Sequence, residues 1–129
     1  MLKVLQRYAP EFLVYPDKLF DKDDHSLVIQ EWDGILVHPR KKLVYLLKIE
    51  SVLSAQKIDE ILAGFKNIKD TVSRSTVSDV LEGHQFECFI GGQLFNEEDK
   101  TRAINSGINS LELSGQRSEI HLCDRPLTV

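Results

Sequence analysis

The chain has few of the features that mark a secreted or membrane-bound protein. Two cysteines among 129 residues are too few for a disulfide framework. No apolar run approaches the ~20 residues needed to span a bilayer, and the first residues lack the continuous apolar segment of a signal peptide. We therefore expect an intracellular, cytoplasmic protein that does not cross a membrane.

An excess of positive charge is also missing. The formal net charge of −4 excludes a protein that coats nucleic acid through bulk electrostatic attraction. A nucleic-acid enzyme of this composition needs a local basic surface, for which the run Pro39-Arg40-Lys41-Lys42 is a candidate. Solvated charges on an ordinary turn explain the same run. The length predicts one domain, residues 1–129, with a core of useful size.

The most informative segment is 31–51, EWDGILVHPRKKLVYLLKIES. Two alternating apolar stretches flank the basic run, which predicts a β-hairpin with its turn centred between Arg40 and Lys41. Antiparallel pairing then places aliphatic residues opposite each other on one face: Val37 with Val44 and Ile35 with Leu46.

The same register brings four charged residues to the other end of this face. Asp33 falls opposite Lys48, and Glu31 falls opposite Glu50. Ionisable groups beside a core face are costly unless they are paired or bind something. We therefore take Glu31, Asp33, Lys48 and Glu50 as the candidate functional site.

The remaining pattern predicts an α/β fold, with a central mixed β-sheet flanked by helices. Helices are expected at 2–9, from the N-cap Ser54 through Ile68, and from a capping box at Asn96 and Asp99 to Gly107. A loop is expected at 15–25 and a linker at 71–78. The predicted strands are 26–38 (with a break before Trp32), 43–51, 86–90, around 111–113, and 120–122.

This layout resembles the core of the PD-(D/E)XK, or restriction-endonuclease-like, nuclease superfamily. In that superfamily an N-terminal helix precedes a hairpin that carries an Asp and then a Glu-x-Lys. A helix, a strand, a helix and another strand follow. Asp33-Gly-Ile-Leu-Val corresponds to the Asp-bearing strand and 43–51 to the Glu-x-Lys strand. The resemblance implies an Mg²⁺-dependent hydrolase of nucleic-acid phosphodiesters, in which carboxylates hold the metal and the lysine helps to position the water.

The chain departs from the family motif at one point, because it has Lys48-Ile49-Glu50 where the family has Glu-x-Lys. The resemblance then implies Asp33, Lys48 and Glu50 as catalytic residues, with Mg²⁺ held by Asp33, Glu50 and Glu31. Two alternatives stay open. Lys48 neutralises Asp33 in an inactive nuclease-fold module that binds nucleic acid or protein, or the charges simply cap an exposed strand end.

Further candidates come from single positions. The candidate nucleic-acid contacts are Arg40, Lys41, Lys42 and Gln56. Because nuclease cores of this superfamily often work as dimers, the resemblance also suggests a homodimer. Zinc binding by His84, Cys88, His121 and Cys123 is disfavoured because their spacing departs from the usual paired ligands. The acidic loop 21–24 lacks the glycine and distal glutamate of a calcium-binding EF-hand loop.

Overall fold

The computed structural model describes residues 2–92, 97–114 and 117–129, with backbone only for 113, 114, 117 and 118. These residues form helices and strands around a six-stranded mixed sheet. The helices are α1 (Leu2–Tyr8), α2 (Ala55–Lys66), α3 (Ile68–Ser73), α4 (Ser78–Leu81) and α5 (Glu97–Asn105). The strands are β1 (Leu13–Tyr15), β2 (Lys18–Phe20), β3 (Val28–Glu31), β4 (Gly34–His38), β5 (Leu43–Ile49), β6 (Gln85–Gly92), β7 (Asn109–Ser114) and β8 (Arg117–His121).

The central sheet has the strand order β1-β4-β5-β6-β7-β8. β1, β4 and β5 are antiparallel neighbours, whereas β6 lies parallel to β5, and β7 lies parallel to β6. β8 then pairs antiparallel with β7. Each parallel step is reached through helices, because a parallel neighbour requires a crossover connection. β2 and β3 form a separate two-stranded sheet.

The hairpin register predicted from the sequence is confirmed for its apolar part. Ile35 faces Leu46 and Val37 faces Val44, and all four are at most 1% exposed. The predicted pairing of Glu31 with Glu50 is wrong. The chain leaves the sheet at Trp32 and Asp33, and Glu31 instead lies opposite Lys18 in the second sheet. The alternation of apolar residues does not show that the chain moves from one sheet to the other. The expected break of the strand before Trp32 is confirmed.

The core occupies both faces of the sheet. α2 begins at the predicted N-cap, where the Ser54 hydroxyl accepts the N–H of Lys57 at 3.2 Å. Its stripe of Ile58, Ile61 and Phe65 is buried against one face of the sheet. On the other face, Leu5 of α1 packs with a smaller buried group: Leu36, Leu47, Phe89 and Leu111.

The end of α5 follows the sequence prediction. Gly107 adopts a φ of +82°, with its N–H bonded to the Ile104 carbonyl and the Ile108 N–H bonded to the Ala103 carbonyl. This is a Schellman motif, which favours glycine at that position. A Cβ on Gly107 would also lie 2.5 Å from the Leu127 nitrogen. The Asn96 half of the predicted capping box lies outside the described residues.

Two segments differ from the sequence prediction. The expected loop 15–25 contains β2 and the end of β1, and the expected linker 71–78 contains the second half of α3 and the first residue of α4. These elements have only three to six residues, so local propensity carries little signal for them. No helix among the described residues has the length and apolar character needed to cross a membrane.

Candidate functional site

The charged end of the β4–β5 hairpin borders a cleft between the two sheets and α2. We call it the strand-end cleft. It has a volume of about 260 Å³ and is lined by Gln30, Glu31, Trp32, Lys48, Glu50, Lys57, Glu60, Ile61 and Gly64. Its floor is rigid because the Trp32 ring is 2% exposed and its indole N–H donates to Gln30 Oε1 at 2.9 Å. The cleft therefore presents both charge signs on a fixed apolar base.

Lys48 is the half-buried cation of this cleft. Its ammonium lies 5.5 Å from the centre of the Trp32 ring, within the range of a cation–π interaction. It also donates a hydrogen bond to the backbone carbonyl of Glu31. In the described part of the chain it forms no ion pair with Asp33 or Glu50. The direct Lys48–Asp33 ion pair of the first alternative is therefore not formed. Two of its three donor hydrogens stay free for a ligand or water.

Asp33 stands beside the cleft rather than in its lining. Its Oδ2 accepts the backbone N–H of Ile49 at 2.6 Å, just past the last paired residues of β4 and β5. The carboxylate therefore continues the hydrogen-bonding pattern where the β4 backbone leaves the sheet. Among the described residues, its Oδ1 accepts no hydrogen bond and remains exposed to a ligand.

The remaining carboxylates approach the cleft from separate elements. Glu50 follows the end of β5 and is half-buried, whereas Glu31 ends β3 and is exposed. The carboxylate oxygens of Glu31, Asp33 and Glu50 do not all lie within 4.8 Å of one another. Among the described residues, one group of three possible metal ligands meets that distance, and it lies in another part of the sheet. Mg²⁺ commonly takes only one or two protein carboxylates and completes its shell with water and phosphate. The donor set present suits that mode of binding.

The candidate nucleic-acid contacts are not brought to the same place. Arg40, Lys41 and Lys42 form the turn at the opposite end of the hairpin, which is about 17 Å away for a five-residue strand. There the His38 ring lies 3.1 Å from a Glu11 carboxylate oxygen. Gln56 lies in the first turn of α2, where its side-chain amide donates to Glu60 at 3.3 Å.

A second group of charged residues lies on the β7–β8 hairpin and was not singled out as a site by the sequence. Glu112, Glu119 and His121 have ligand atoms that all lie within 4.8 Å of one another, and we call them the β7–β8 cluster. The alternation of Glu119 and His121 is visible in the sequence. Their proximity to Glu112 depends on a hairpin register that the sequence pattern did not provide.

The cysteines of the disfavoured zinc proposal do not join this cluster. Cys88 is fully buried, and burial raises the pKa of its thiol, with Lys48 opposing the effect. Cys123 is also buried, and its Sγ lies 2.9 Å from the Ile108 carbonyl. Burial raises the pKa of this thiol as well. Neither thiol is therefore poised as a thiolate ligand or nucleophile.

Comparisons of the chain with protein-family models, with curated proteins and with solved structures gave no significant match.

Proposed function

We propose that this chain is a PD-(D/E)XK-like domain that hydrolyses nucleic-acid phosphodiester bonds with Mg²⁺ at the strand-end cleft. One observation carries the proposal. Asp33, just before β4, and Lys48 and Glu50, at the end of β5, lie at the same end of the hairpin, beside a cleft. The order α1, β4–β5, α2, β6, α5, β7 supports it, since the family resemblance implies that order.

The donor set defines what each residue would contribute. Asp33 through its free Oδ1, together with Glu50, would hold Mg²⁺, and Glu31 would add a carboxylate at the cleft wall. The cation would neutralise charge on the phosphate and lower the pKa of a bound water. The Lys48 ammonium would use its free donor hydrogens to orient the attacking water or a phosphate oxygen.

The basic turn then has a defined part in substrate binding. Arg40, Lys41 and Lys42 lie too far from Lys48 to contact the same phosphate, so they would hold a neighbouring stretch of the nucleic-acid backbone. Phosphate contacts of this kind position the substrate and make its affinity fall with added salt. A homodimer, which would supply a second such turn, remains a prediction from the family resemblance.

One observation favours a second candidate, a non-catalytic module with the same fold. Asp33 Oδ2 and the Lys48 ammonium both bind backbone groups at the point where the chain leaves the sheet. These contacts stabilise the strand ends without a metal or a substrate. Under this alternative the chain binds nucleic acid or a protein partner and the cleft has no hydrolytic activity.

Cleavage assays on the full chain separate the two functions. Single-stranded DNA, double-stranded DNA and RNA are incubated with millimolar Mg²⁺ or Mn²⁺, and thermal unfolding is followed under the same conditions. We expect metal-dependent cleavage in the wild type that falls to background in Asp33→Asn and Glu50→Gln. We also expect Mg²⁺ to raise the Tm of the wild type but not of these two variants, because binding to the native state stabilises it.

Matched control variants come from exposed residues outside the cleft. Glu98→Gln and Lys3→Met remove the same charges as Glu50→Gln and Lys48→Met but line no part of the cleft. They should cleave at the wild-type rate. Absence of cleavage on all three substrates, together with an unchanged Tm in metal, would support the non-catalytic module instead.

A further inference from the structure

The β7–β8 cluster lies away from the strand-end cleft and is not used by the proposed hydrolysis. Glu112 on β7 pairs directly with Glu119 on β8 in the hairpin register. His121 lies two residues beyond Glu119, so its ring is on the same face of the sheet. Side chains from two hairpin-linked strands therefore converge on one point.

Two interatomic distances in the cluster match the spacing of ligands around a metal. His121 Nε2 lies 3.4 Å from Glu119 Oε2 and 3.6 Å from Glu112 Oε2. Bonds of 2.0–2.2 Å in a tetrahedral zinc site place its ligand atoms about 3.3–3.6 Å apart. An imidazole with two carboxylates leaves a fourth position for water, as in zinc sites with an open coordination position.

Two polar atoms at the cluster are shielded from solvent and form no hydrogen bond within the described part of the chain. One is His121 Nε2, which lies near both carboxylates but makes no hydrogen bond to the described residues. The other is the hydroxyl of Ser110, a residue that is 1% exposed, lies directly opposite His121 in the register and has no hydrogen-bond partner among the described residues. Buried polar atoms are rarely left unpaired, and one explanation for such atoms is an absent ion or water. A cation with its bound water at this point would supply partners for both.

Lys100 occupies part of the cluster in the absence of a metal. Its ammonium lies 2.8 Å from Glu112 Oε2 and 3.5 Å from Glu97 Oε1. This contact places the Lys100 ammonium as a counter-ion to the Glu112 carboxylate. A divalent cation on Glu112 would compete with this ammonium, and Glu97 offers the lysine another acceptor.

We propose that Glu112, Glu119 and His121 form a zinc-binding site, with Lys100 acting as a counter-ion that zinc displaces. The site is independent of the proposed nuclease activity. Imidazole nitrogen favours zinc over Mg²⁺, which prefers an all-oxygen shell. The strand-end cleft and the β7–β8 cluster would therefore bind different metals.

Calorimetric titration of the full chain with zinc chloride tests the site, with magnesium chloride as the comparison. We expect one zinc per chain. His121→Ala and Glu119→Gln should each weaken the affinity by at least ~10-fold, as the loss of a ligand requires. Lys100→Met should tighten it by ~3-fold or more, because the competing positive charge is gone. Circular dichroism checks that each variant is folded.

His25→Ala provides the matched control, because His25 directly follows the acidic loop 21–24 and its ring interacts with the Asp24 carboxylate and the Lys22 carbonyl. This variant should bind zinc as tightly as the wild type. The proposal is overturned if His25→Ala loses affinity and His121→Ala does not, if Mg²⁺ binds the cluster as tightly as zinc, or if no zinc binds at all. None of these outcomes depends on cleavage of nucleic acid.

Discussion

The strand-end cleft and the β7–β8 cluster hold similar charged residues through different contacts. At the strand-end cleft, Asp33 and Lys48 each bind backbone groups and form no ion pair with each other. At the β7–β8 cluster, Lys100 and His121 both contact Glu112 through their side chains. Charged residues that satisfy the backbone stabilise the fold, whereas His121 Nε2 forms no hydrogen bond with the described residues, which supports the proposed zinc site.

The two sites also differ in how deeply their surroundings are buried in the sheet. The cleft rests on Trp32, which is 2% exposed and belongs to the main core. The β7–β8 cluster lies on the last strand of the sheet, where β8 has a neighbour on one side only. Substitutions at the cleft should therefore change stability and function together, while substitutions in the cluster should change mainly ligand binding. The following variants test that contrast in order of expected effect.

Trp32→Ala should have the largest effect. Removing a buried indole leaves a cavity and is expected to cost about 3–5 kcal/mol of unfolding free energy, measured by urea denaturation. Leu122→Ala, at a side chain that is 51% exposed, should change stability by less than about 0.5 kcal/mol. A Trp32→Ala variant as stable as Leu122→Ala would contradict the account of the cleft floor.

Asp33→Ala should cost about 1 kcal/mol, because the Ile49 N–H loses its acceptor. Asp33→Asn retains an acceptor oxygen and should therefore lose clearly less in the same denaturation experiment. The pair separates the structural role of this side chain from its charge. Equal losses in both variants would show that the hydrogen bond to Ile49 is unimportant for stability.

Lys48→Met should lose somewhat less, below about 1 kcal/mol, since the aliphatic stem is retained while the cation–π contact and the hydrogen bond to Glu31 are removed. Lys100→Met is the matched change in the β7–β8 cluster and should alter the Tm by a smaller amount. The Lys100 and Glu112 side chains are 21% and 16% exposed, and Glu97, the second acceptor of the lysine, is 91% exposed, so water still screens the pairing and its contribution is small. A larger loss in Lys100→Met would reverse the comparison.

Glu87→Gln should produce the smallest effect and one that depends on pH. Glu87 lies on β6 between the two sites, and burial raises the pKa of its carboxyl above the ordinary value of 4.5, against an opposing hydrogen bond from Asn109. The folded state therefore favours the protonated form. As the pH rises from below 4.5 through the raised pKa, the unfolding free energy of the wild type should fall relative to that of Glu87→Gln. Above the raised pKa the difference should stay constant. Tm measured from pH 3.5 to 8 checks the sign.

The sequence predicted those parts of the fold that depend on local periodicity. The β4–β5 register followed from alternation and a symmetric turn, and α2 followed from its apolar stripe and the Ser54 cap. The Schellman ending at Gly107 followed from glycine's tolerance of positive φ. β1 and β2 were missed because each has only three residues, and β1 also pairs with β4 rather than with the next strand in the sequence.

The candidate sites were predictable to a lesser extent. The sequence identified Lys48 and Glu50, which line the cleft, because they follow from the hairpin register. It misplaced Glu31 because the chain changes sheets at Trp32, a step that alternation does not record. The β7–β8 cluster depends on a cross-strand pairing between Glu112 and Glu119, and the sequence pattern alone did not fix that register.

Substoichiometric Mn²⁺ in an NMR experiment tests most directly whether Asp33 and the end of β5 act as one cation site. The measurement uses the His121→Ala variant, so that the β7–β8 cluster does not compete for the metal. We predict that the amide signals of Gly34, Ile49 and Glu50 broaden first, and that this broadening disappears when Asp33→Asn is added. Equal broadening in both proteins, or broadening confined to the acidic loop 21–24, would contradict the account.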